Sequence, residues 1–248
     1  MQGNVFAEVD AGTKVATVWI DNPERVNAMS IQMWERLSEV LGALAQDREV
    51  WVVAIRGVNG NFCAGADLSE FGDHRQGADT LVYDQRTEAA LLIPRQMPMP
   101  VVAVVEGYCL GGGVSIAAAC DIVYAVDDAK FQIPAAKVGT AYPDGALHRL
   151  RDRVGYANAL ELIATARRVA AGDAVALGLV TQAFASSDEV LAQLRRIATL
   201  APRSIAAAKA SMNGRITEDE RVAIFSSQDY QEGLRAFAER RSPRFTGL

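Results

Sequence analysis

The chain has 248 residues, of which 50% are hydrophobic and 22% charged, as in a globular enzyme with a sizeable core. Its formal net charge of −5 argues against a nucleic-acid partner, because phosphate backbones attract basic surfaces. Two histidines and scattered cysteines give no set of metal ligands, and no apolar stretch is long enough to span a bilayer.

The cysteines and the first residues bear on the compartment. Cys63, Cys109 and Cys120 form no CxxC pair, and an odd number does not suit a disulfide framework. The opening stretch, MQGNVFAEVDAGTKV, lacks both a basic n-region and an apolar h-region, so we expect no signal peptide. We therefore expect a reducing, cytoplasmic location.

The first elements in chain order are two strands, a helix and a third strand. NVFAEVD (4–10) and VATVWID (15–21) are strand-like and are joined by the turn AGTK. Ser30 is placed to cap a helix whose apolar residues follow helical spacing. Those residues are Trp34, Leu37, Leu41 and Leu44. The apolar run VWVVAIRG (50–57), which ends in glycine, predicts a buried strand.

The middle of the chain alternates strands and helices. Residues 67–79 are polar and contain glycine, which predicts a loop, and residues 80–96 predict a helix that ends before Pro98. VVAVVEG (101–107) predicts a buried strand, which glycines, a helix of small residues and the strand DIVYAV follow. This alternation predicts crossover connections and a mostly parallel sheet.

Helices dominate the prediction from residue 143 onward. The segments SSDEVLAQLRRIATLA, PRSIAAAKASMN and SQDYQEGLRAFAERR all have helical patterns, and the second begins with proline. We divide the chain into a core, 1–186, and a helical C-terminal region, 187–248. Because this region has little core of its own, we expect it to pack on another subunit.

Two glycine-containing motifs suggest a site made of backbone N–H groups. They are NFCAGADL (61–68) and CLGGGVSIAAACD (109–121). Glycines at a helix start let a ligand approach the unpaired N–H groups there, and the first motif can offer a second donor. Two converging donors form an oxyanion hole. Neither phosphate-binding fingerprint, GxGxxG or GxxxxGK[ST], is present, and packing or turn formation is the alternative for each motif.

Several ordered motifs together resemble the crotonase, or enoyl-CoA hydratase/isomerase, superfamily. They are FCAGADL, AVVEGYCLGGGVSIAAACDIVYA, AKFQIPAAKVGTAYPDGALHRL and the tail DYQEGLRAFAERRSPRFTGL, and the likeness runs from DNPERVNAM to the C-terminus. The resemblance implies an α/β fold with a spiral of β–β–α units and a helical C-terminal trimerisation region. It also implies a homotrimer or a dimer of trimers in fatty acid metabolism. A coenzyme A thioester is the implied substrate or ligand, with no permanently bound cofactor.

The resemblance assigns roles to individual residues. Ala64 and Gly112 match the positions whose N–H groups bind the thioester oxygen, where each donor is typically worth about 3–4 kcal/mol. Arg25 and Val26 match the loop that borders adenine and pantetheine. Phe245 matches an aromatic residue near the adenine of a neighbouring subunit's ligand.

Three further residues, Ala66, Asp67 and Leu68, continue the wall of the site after the first donor. Because coenzyme A is polyanionic and the chain is net negative, local positive charge is also required. Arg25 and the tail segment ERRSPR are the candidates for it, and Lys137 is a weaker one that also suits a surface role.

The sequence departs from the family where its hydratases carry two glutamates. Paired carboxylates hold a water and exchange protons with it. The matched positions here are Ser115 and Ala135, so we expect no efficient hydration by this route. The loop GTAYPDG offers Tyr142 and Asp144 as replacements. Isomerases of the family carry an aspartate one position before Asp144, at Pro143 here.

A decarboxylase branch of the family carries a tyrosine that matches Tyr142 and a histidine in the earlier loop, where His74 has no firm match. Each candidate also has a structural alternative. Asp144 can cap a helix, and Tyr142 can form a pocket wall. His74 and His148 suit solvent-exposed positions.

Two functional hypotheses remain open. The first is an enzyme that stabilises a thioester enolate in an isomerase- or decarboxylase-like reaction, with Tyr142 or Asp144 supplying proton transfer. The second is a non-catalytic protein that binds fatty acyl-CoA in a pocket with Ser115 and Ala135 beside the acyl group.

Overall fold

A computed structural model describes residues 3–248 and has an α/β architecture. The strands are β1 (Asn4–Asp10), β2 (Val15–Asp21), β3 (Val52–Gly57), β4 (Val101–Val105), β5 (Tyr108–Leu110), β6 (Ile122–Val126), β7 (Lys130–Gln132), β8 (Val169–Ala170) and β9 (Gln182–Phe184). The α-helices are α1 (Ile31–Leu44), α2 (Phe71–His74), α3 (Asp79–Gln96), α4 (Gly112–Ala119), α5 (Ala135–Val138), α6 (Asp144–Thr165), α7 (Ala171–Ala176), α8 (Ser187–Ile197), α9 (Pro202–Met212), α10 (Glu218–Ile224) and α11 (Gln228–Glu239). Short 3₁₀ helices cover Pro23–Arg25 and Leu68–Glu70.

Six strands form the main sheet in the order β1-β2-β3-β4-β6-β9. Only the β1–β2 pair is antiparallel, so the predicted mostly parallel sheet is confirmed. A second, smaller sheet has the order β5-β7-β8. It lies next in sequence to the glycine motifs, because β5 runs into α4 and β7 leads to α5.

The central strands β3 and β4 are buried on both faces, which explains their continuous apolar sequences. Along β3, Val53 and Ile55 join the core that includes α1, while Val52 and Ala54 face a second core. This second core includes Val190 of α8. The first helix after the 187 boundary therefore packs on the sheet, and the proposed division of the chain at that residue stays a prediction.

Local sequence signals position most elements correctly. The strands β1 and β2 have the predicted bounds. Ser30 caps α1 by accepting a hydrogen bond from the N–H of Met33 at 3.2 Å. The proline at position 202 begins α9, and α3 ends at Gln96, before Pro98.

One prediction about secondary structure is wrong. The segment 67–79 contains a 3₁₀ turn and α2 rather than only loop. The prediction that helices dominate after residue 143 is confirmed by α6 to α11, and the short strands β8 and β9 also lie in that region. Both strands have at most three residues, which is too short for an alternating pattern to be recognised. The pairing of β9 with β6 defines it instead.

The C-terminal helices are tied to the core by a buried lysine on α9. The Nζ atom of Lys209 donates to the carbonyl oxygens of Pro94 and Met99 at 2.7 and 2.8 Å and to a carboxylate oxygen of Asp121 at 2.6 Å. These contacts satisfy all three ammonium donors. Within residues 3–248, no helix has both the length and the apolar character that crossing a bilayer requires.

Candidate active site

A cavity of about 120 Å³ lies where both glycine motifs meet α1, α3 and the loop between α5 and α6. Its walls are mostly apolar. Its lining includes Trp34, Ala64, Gly65, Ala66, Leu68, Phe71, Arg75, Tyr83, Gly111, Gly112, Ser115, Ala135 and Tyr142. A single buried water needs roughly 10–15 Å³ of cavity volume, so a cavity of this size has room for a short acyl group.

The backbone of Ala64 does not offer the predicted free donor. Its N–H donates to the carbonyl oxygen of Val26 at 3.0 Å. The hydrogen bonds from Met29 N–H to Gly65 O (2.7 Å) and from Asp67 N–H to Met29 O (2.9 Å) continue this contact. The expectation that the Ala64 N–H faces a ligand is therefore wrong, because that group helps to hold its own loop.

The available donor of the first motif belongs to Ala66. Neither its N–H nor that of Gly112 has a hydrogen-bond partner among residues 3–248. The two groups are neighbours, since a Cβ atom on Gly112 would lie 3.3 Å from the nitrogen of Ala66. Both residues line the cavity. The pair of free N–H groups that the motifs suggest is thus present, with Ala66 in place of Ala64.

Two glycines bring these donors together. Gly65 has a φ of 102°, in the region that favours glycine, and a Cβ there would lie 2.9 Å from the carbonyl oxygen of Leu110. Gly111 caps α4 with a φ of 47° and a ψ of −112°. The glycine at 65 therefore allows the close approach of the two motifs, and Gly111 orients the start of α4.

Ser115 and Tyr142 lie together on the wall of the cavity. Their hydroxyl oxygens are 2.6 Å apart, and the Tyr142 hydroxyl donates to the carbonyl oxygen of Gly111 at 2.7 Å. Burial raises the pKa of Tyr142 far above the usual range, and the Ser115 hydrogen bond only partly offsets this. A proton-donor role for Tyr142 would require its hydrogen bond to Gly111 to break.

The described residues that line the cavity include no aspartate or glutamate. Ser115 and Ala135, the positions matched to the hydratase glutamates, are both buried on its wall. Asp144 is exposed at the start of α6 and is not part of the lining. Its side chain forms no capping hydrogen bond, so the capping alternative also lacks support.

The residues predicted to border coenzyme A form a cluster beside the mouth of the cavity. Arg25 forms an ion pair with Asp67 and donates to the Ser69 hydroxyl at 2.5 Å. Burial raises the pKa of Asp67, but hydrogen bonds from Ser69 and Arg25 outweigh it and lower the pKa below its usual value. Val26 and Leu68 are exposed nearby, and Leu68 lines the cavity. The positive charge of Arg25 is thus already balanced.

The remaining predicted residues lie elsewhere. Phe245 is half-buried against α11, where its ring is 3.8 Å from a Cβ atom built on Gly233. His74, His148 and Lys137 are exposed, as expected for surface residues. A contact between Phe245 and a neighbouring subunit's ligand stays a prediction.

Sequence patterns missed an aromatic cluster at one end of the cavity. The guanidinium of Arg75 lies 5.0 Å from the ring of Phe71 and 5.1 Å from that of Tyr83, and it bonds to Asp84 at 3.1 Å. Burial raises the pKa of Tyr83 to about 12. The helical spacing correctly placed Trp34 on the core face of α1. Phe71 and Arg75 were missed because the segment that forms α2 and its C-terminal end was predicted to be a loop.

Comparisons with known proteins identify the family of this chain. A peroxisomal Delta(3,5)-Delta(2,4)-dienoyl-CoA isomerase from Arabidopsis thaliana is 31% identical over 92% of this chain and 91% of its own length. A probable enoyl-CoA hydratase from Bacillus subtilis is 32% identical over 94% and 95%. The crystal structure of an enoyl-CoA hydratase/carnithine racemase from Magnetospirillum magneticum superimposes with a TM-score of 0.91, at 33% identity over 98% of both chains.

The sequence profile of the enoyl-CoA hydratase/isomerase family matches residues 10–248, which is nearly the whole chain. The matched region contains both glycine motifs, the cavity and the C-terminal helices. Fold, relatives and profile agree, and the chain belongs to the enoyl-CoA hydratase/isomerase family of the crotonase superfamily.

Proposed function

We propose that this protein binds an acyl-CoA thioester and stabilises its enolate in a decarboxylase- or isomerase-like reaction rather than in efficient hydration. The thioester oxygen accepts hydrogen bonds from the N–H groups of Ala66 and Gly112. The observation that carries this proposal is the adjacent pair of unpartnered N–H groups in a mostly apolar cavity. Such donors are strongest where water is excluded and negative charge develops on the oxygen.

Hydration by two carboxylates has no support in the cavity, since none of its described lining residues is acidic. Isomerisation requires a base that removes a proton from one carbon and returns it to another. The pKa of Tyr83 is about 12 and that of Tyr142 is raised further, so neither phenol accepts a proton near neutral pH. Of the two reactions, decarboxylation and isomerisation, decarboxylation is therefore the better supported.

In a decarboxylation, the bond between the α-carbon and a carboxylate breaks and CO₂ leaves. The electron pair moves into the enolate, whose oxygen lies on the N–H groups of Ala66 and Gly112. A proton then adds to the α-carbon in place of the lost carboxylate. Among the predicted proton donors, Tyr142 is better placed than the exposed Asp144. The hydroxyl hydrogen of Tyr142 is already donated to the Gly111 carbonyl, however. Water at the open end of the cavity is therefore the simplest source of this proton.

Three assays on the purified protein test this proposal. They measure methylmalonyl-CoA decarboxylation, 3-enoyl-CoA isomerisation and crotonyl-CoA hydration under matched conditions. We expect decarboxylation to be the fastest and hydration the slowest. Fast hydration would contradict the proposal, since the described lining residues provide no acidic pair for it.

A non-catalytic acyl-CoA binding protein is the second candidate. The engaged hydroxyl of Tyr142 and the absence of acidic residues in the described lining favour it. Calorimetry with short- and long-chain acyl-CoA separates the two functions. Tight binding of acyl-CoA without turnover in any of the three assays would establish the binding protein and refute the enzyme.

We also propose a homotrimer or a dimer of trimers. Large apolar side chains on the C-terminal helices are exposed in the single chain, including Phe225, Leu234 and Phe237. Such side chains commonly mark a protein interface when they are grouped. Light scattering during size-exclusion chromatography should give three or six times the mass of one chain, and a monomer at micromolar concentration would refute this.

A further inference from the structure

One peptide unit of the site is held by a side chain from another element. The carbonyl of Gly111 and the N–H of Gly112 belong to the same peptide group, so a bond to one acts on the other. The hydroxyl of Tyr142 donates to this carbonyl oxygen at 2.7 Å. The N–H of Ser115 donates to the same oxygen at 3.2 Å as part of the first turn of α4.

A second hydroxyl extends this contact into a chain. Because Tyr142 has a single hydroxyl hydrogen and donates it to Gly111, the Ser115 hydroxyl must be the donor in their 2.6 Å contact. The order is therefore Ser115 O–H to Tyr142 O–H to Gly111 C=O. Ser115 is only 5% exposed, and hydrogen bonds that follow one another in a buried setting polarise each other.

This arrangement matters because the backbone at Gly111 is intrinsically free to rotate. Its φ of 47° and ψ of −112° are accessible mainly to glycine, which also adopts many other conformations. Two contacts on its carbonyl, the Ser115 N–H at 3.2 Å and the shorter Tyr142 hydroxyl at 2.7 Å, fix the direction of the N–H in the peptide between Gly111 and Gly112. A hydrogen bond to the carbonyl fixes that direction and draws electron density toward the oxygen, which makes the N–H a stronger donor.

We propose that Tyr142 is a positioning residue that orients and polarises the Gly112 N–H, with Ser115 supporting it, and that it is not a proton carrier. This inference rests on the proposed function, because it assumes that the Gly112 N–H binds the thioester oxygen. It assigns a use to the serine that stands at a position matched to a hydratase glutamate.

Infrared difference spectroscopy with butyryl-CoA labelled with ¹³C at the thioester carbonyl tests this role directly. Hydrogen bonds to the carbonyl lower its stretching frequency, so the shift on binding reports the strength of the two donors. Tyr142→Phe removes the contact with Gly111, and Ser115→Ala removes its support. The control is Tyr156→Phe, since Tyr156 is 72% exposed and lies outside the cavity.

We expect the wild-type protein and Tyr156→Phe to lower the stretching frequency equally. Tyr142→Phe should lose a large part of that shift, and Ser115→Ala should lose a smaller part. If the protein turns over, Tyr142→Phe should reduce kcat by about tenfold, the scale of one hydrogen bond, with little change in KM. Its pH–rate profile should keep the shape of the wild-type profile, whereas loss of a proton carrier would change that shape.

An unchanged carbonyl shift in Tyr142→Phe overturns the positioning role while leaving the proposed function intact. A pH–rate profile of a different shape from the wild-type profile also overturns the role. If Tyr142→Phe does not fold, Ser115→Ala decides, and a carbonyl shift equal to the wild-type value then refutes the proposal. If the wild-type protein binds no labelled ester, both this inference and the proposed function are wrong.

Discussion

The two motifs that supply N–H groups to the cavity are held in place by different means. The loop before Ala66 is anchored mainly by backbone hydrogen bonds to residues 26–29. The start of α4 before Gly112 is held by backbone hydrogen bonds of Gly111 to Gln132 and Ser115 and, in addition, by the side chain of Tyr142 through the carbonyl of Gly111. Substitution of Tyr142 should therefore loosen the second donor more than the first, while backbone packing between the motifs should affect both.

The contact between the motifs offers the largest test of this difference. A Cβ atom at Gly113 would lie 2.4 Å from the carbonyl oxygen of Cys63, which cannot move without shifting the first motif. We expect Gly113→Ala to lower the free energy of unfolding by about 3 kcal/mol, at the upper end for overpacked cores. Chemical denaturation measures this change in stability. The variant should also lose the hydrogen bonds of both N–H donors to the thioester oxygen together.

The matched control for that variant is Gly42→Ala. Gly42 is exposed in the interior of α1, and a Cβ there would meet nothing within 4 Å. It should raise the free energy of unfolding by about 0.5–1 kcal/mol, because alanine favours helices more than glycine does. Equal stability of the two variants would refute the close packing of the motifs.

A methyl group between the two donors should disturb function without disturbing the fold. In Gly112→Ala, the Cβ would lie 3.3 Å from the nitrogen of Ala66 and 3.3 Å from Cζ2 of Trp34. We expect loss of one donor's contribution, about 100-fold or more in kcat, with little change in melting temperature. Gly72→Ala, where a Cβ meets nothing, should keep full activity. Full activity of Gly112→Ala would place the reacting oxygen elsewhere.

Side chains at the first motif should have smaller effects. Asp67 accepts hydrogen bonds from the Ser69 N–H and hydroxyl, and its pKa is lowered from 3.8 in the folded protein. Its stabilising effect is therefore present above pH 3.8 and is lost as pH falls through the lower folded pKa. Asp67→Asn removes the negative charge that pairs with the exposed Arg25 and should cost about 0.2–1 kcal/mol at pH 7, as loss of a surface ion pair does.

Denaturation curves of the wild-type protein and Asp67→Asn across pH 7 to below 3.8 measure that dependence. The difference between the two proteins should shrink toward acid pH, because protonated aspartic acid no longer attracts Arg25. A difference that grows toward acid pH would contradict the lowered pKa. The carbonyl shift of bound ester should change less in Asp67→Asn than in Tyr142→Phe, since backbone bonds still hold Ala66.

The sequence by itself determined the elements whose signals are local. Apolar runs set β3 and β4, and Ser30 set the start of α1. The residue identities at Ser115 and Ala135, on which the prediction of missing hydratase glutamates rests, also come from the sequence alone. Such features depend on neighbouring residues or on residue identity, so no long-range contact is needed to see them.

Only the tertiary structure decided which backbone groups remain free. The N–H of Ala64 donates to the carbonyl oxygen of Val26, a residue distant in sequence. The free N–H group beside Gly112 is therefore that of Ala66. In the same way, folding directs the Tyr142 hydroxyl to Gly111 and leaves Asp144 exposed. Every residue carries a similar N–H group, so its availability depends on the partners that the fold brings to it, which no motif encodes.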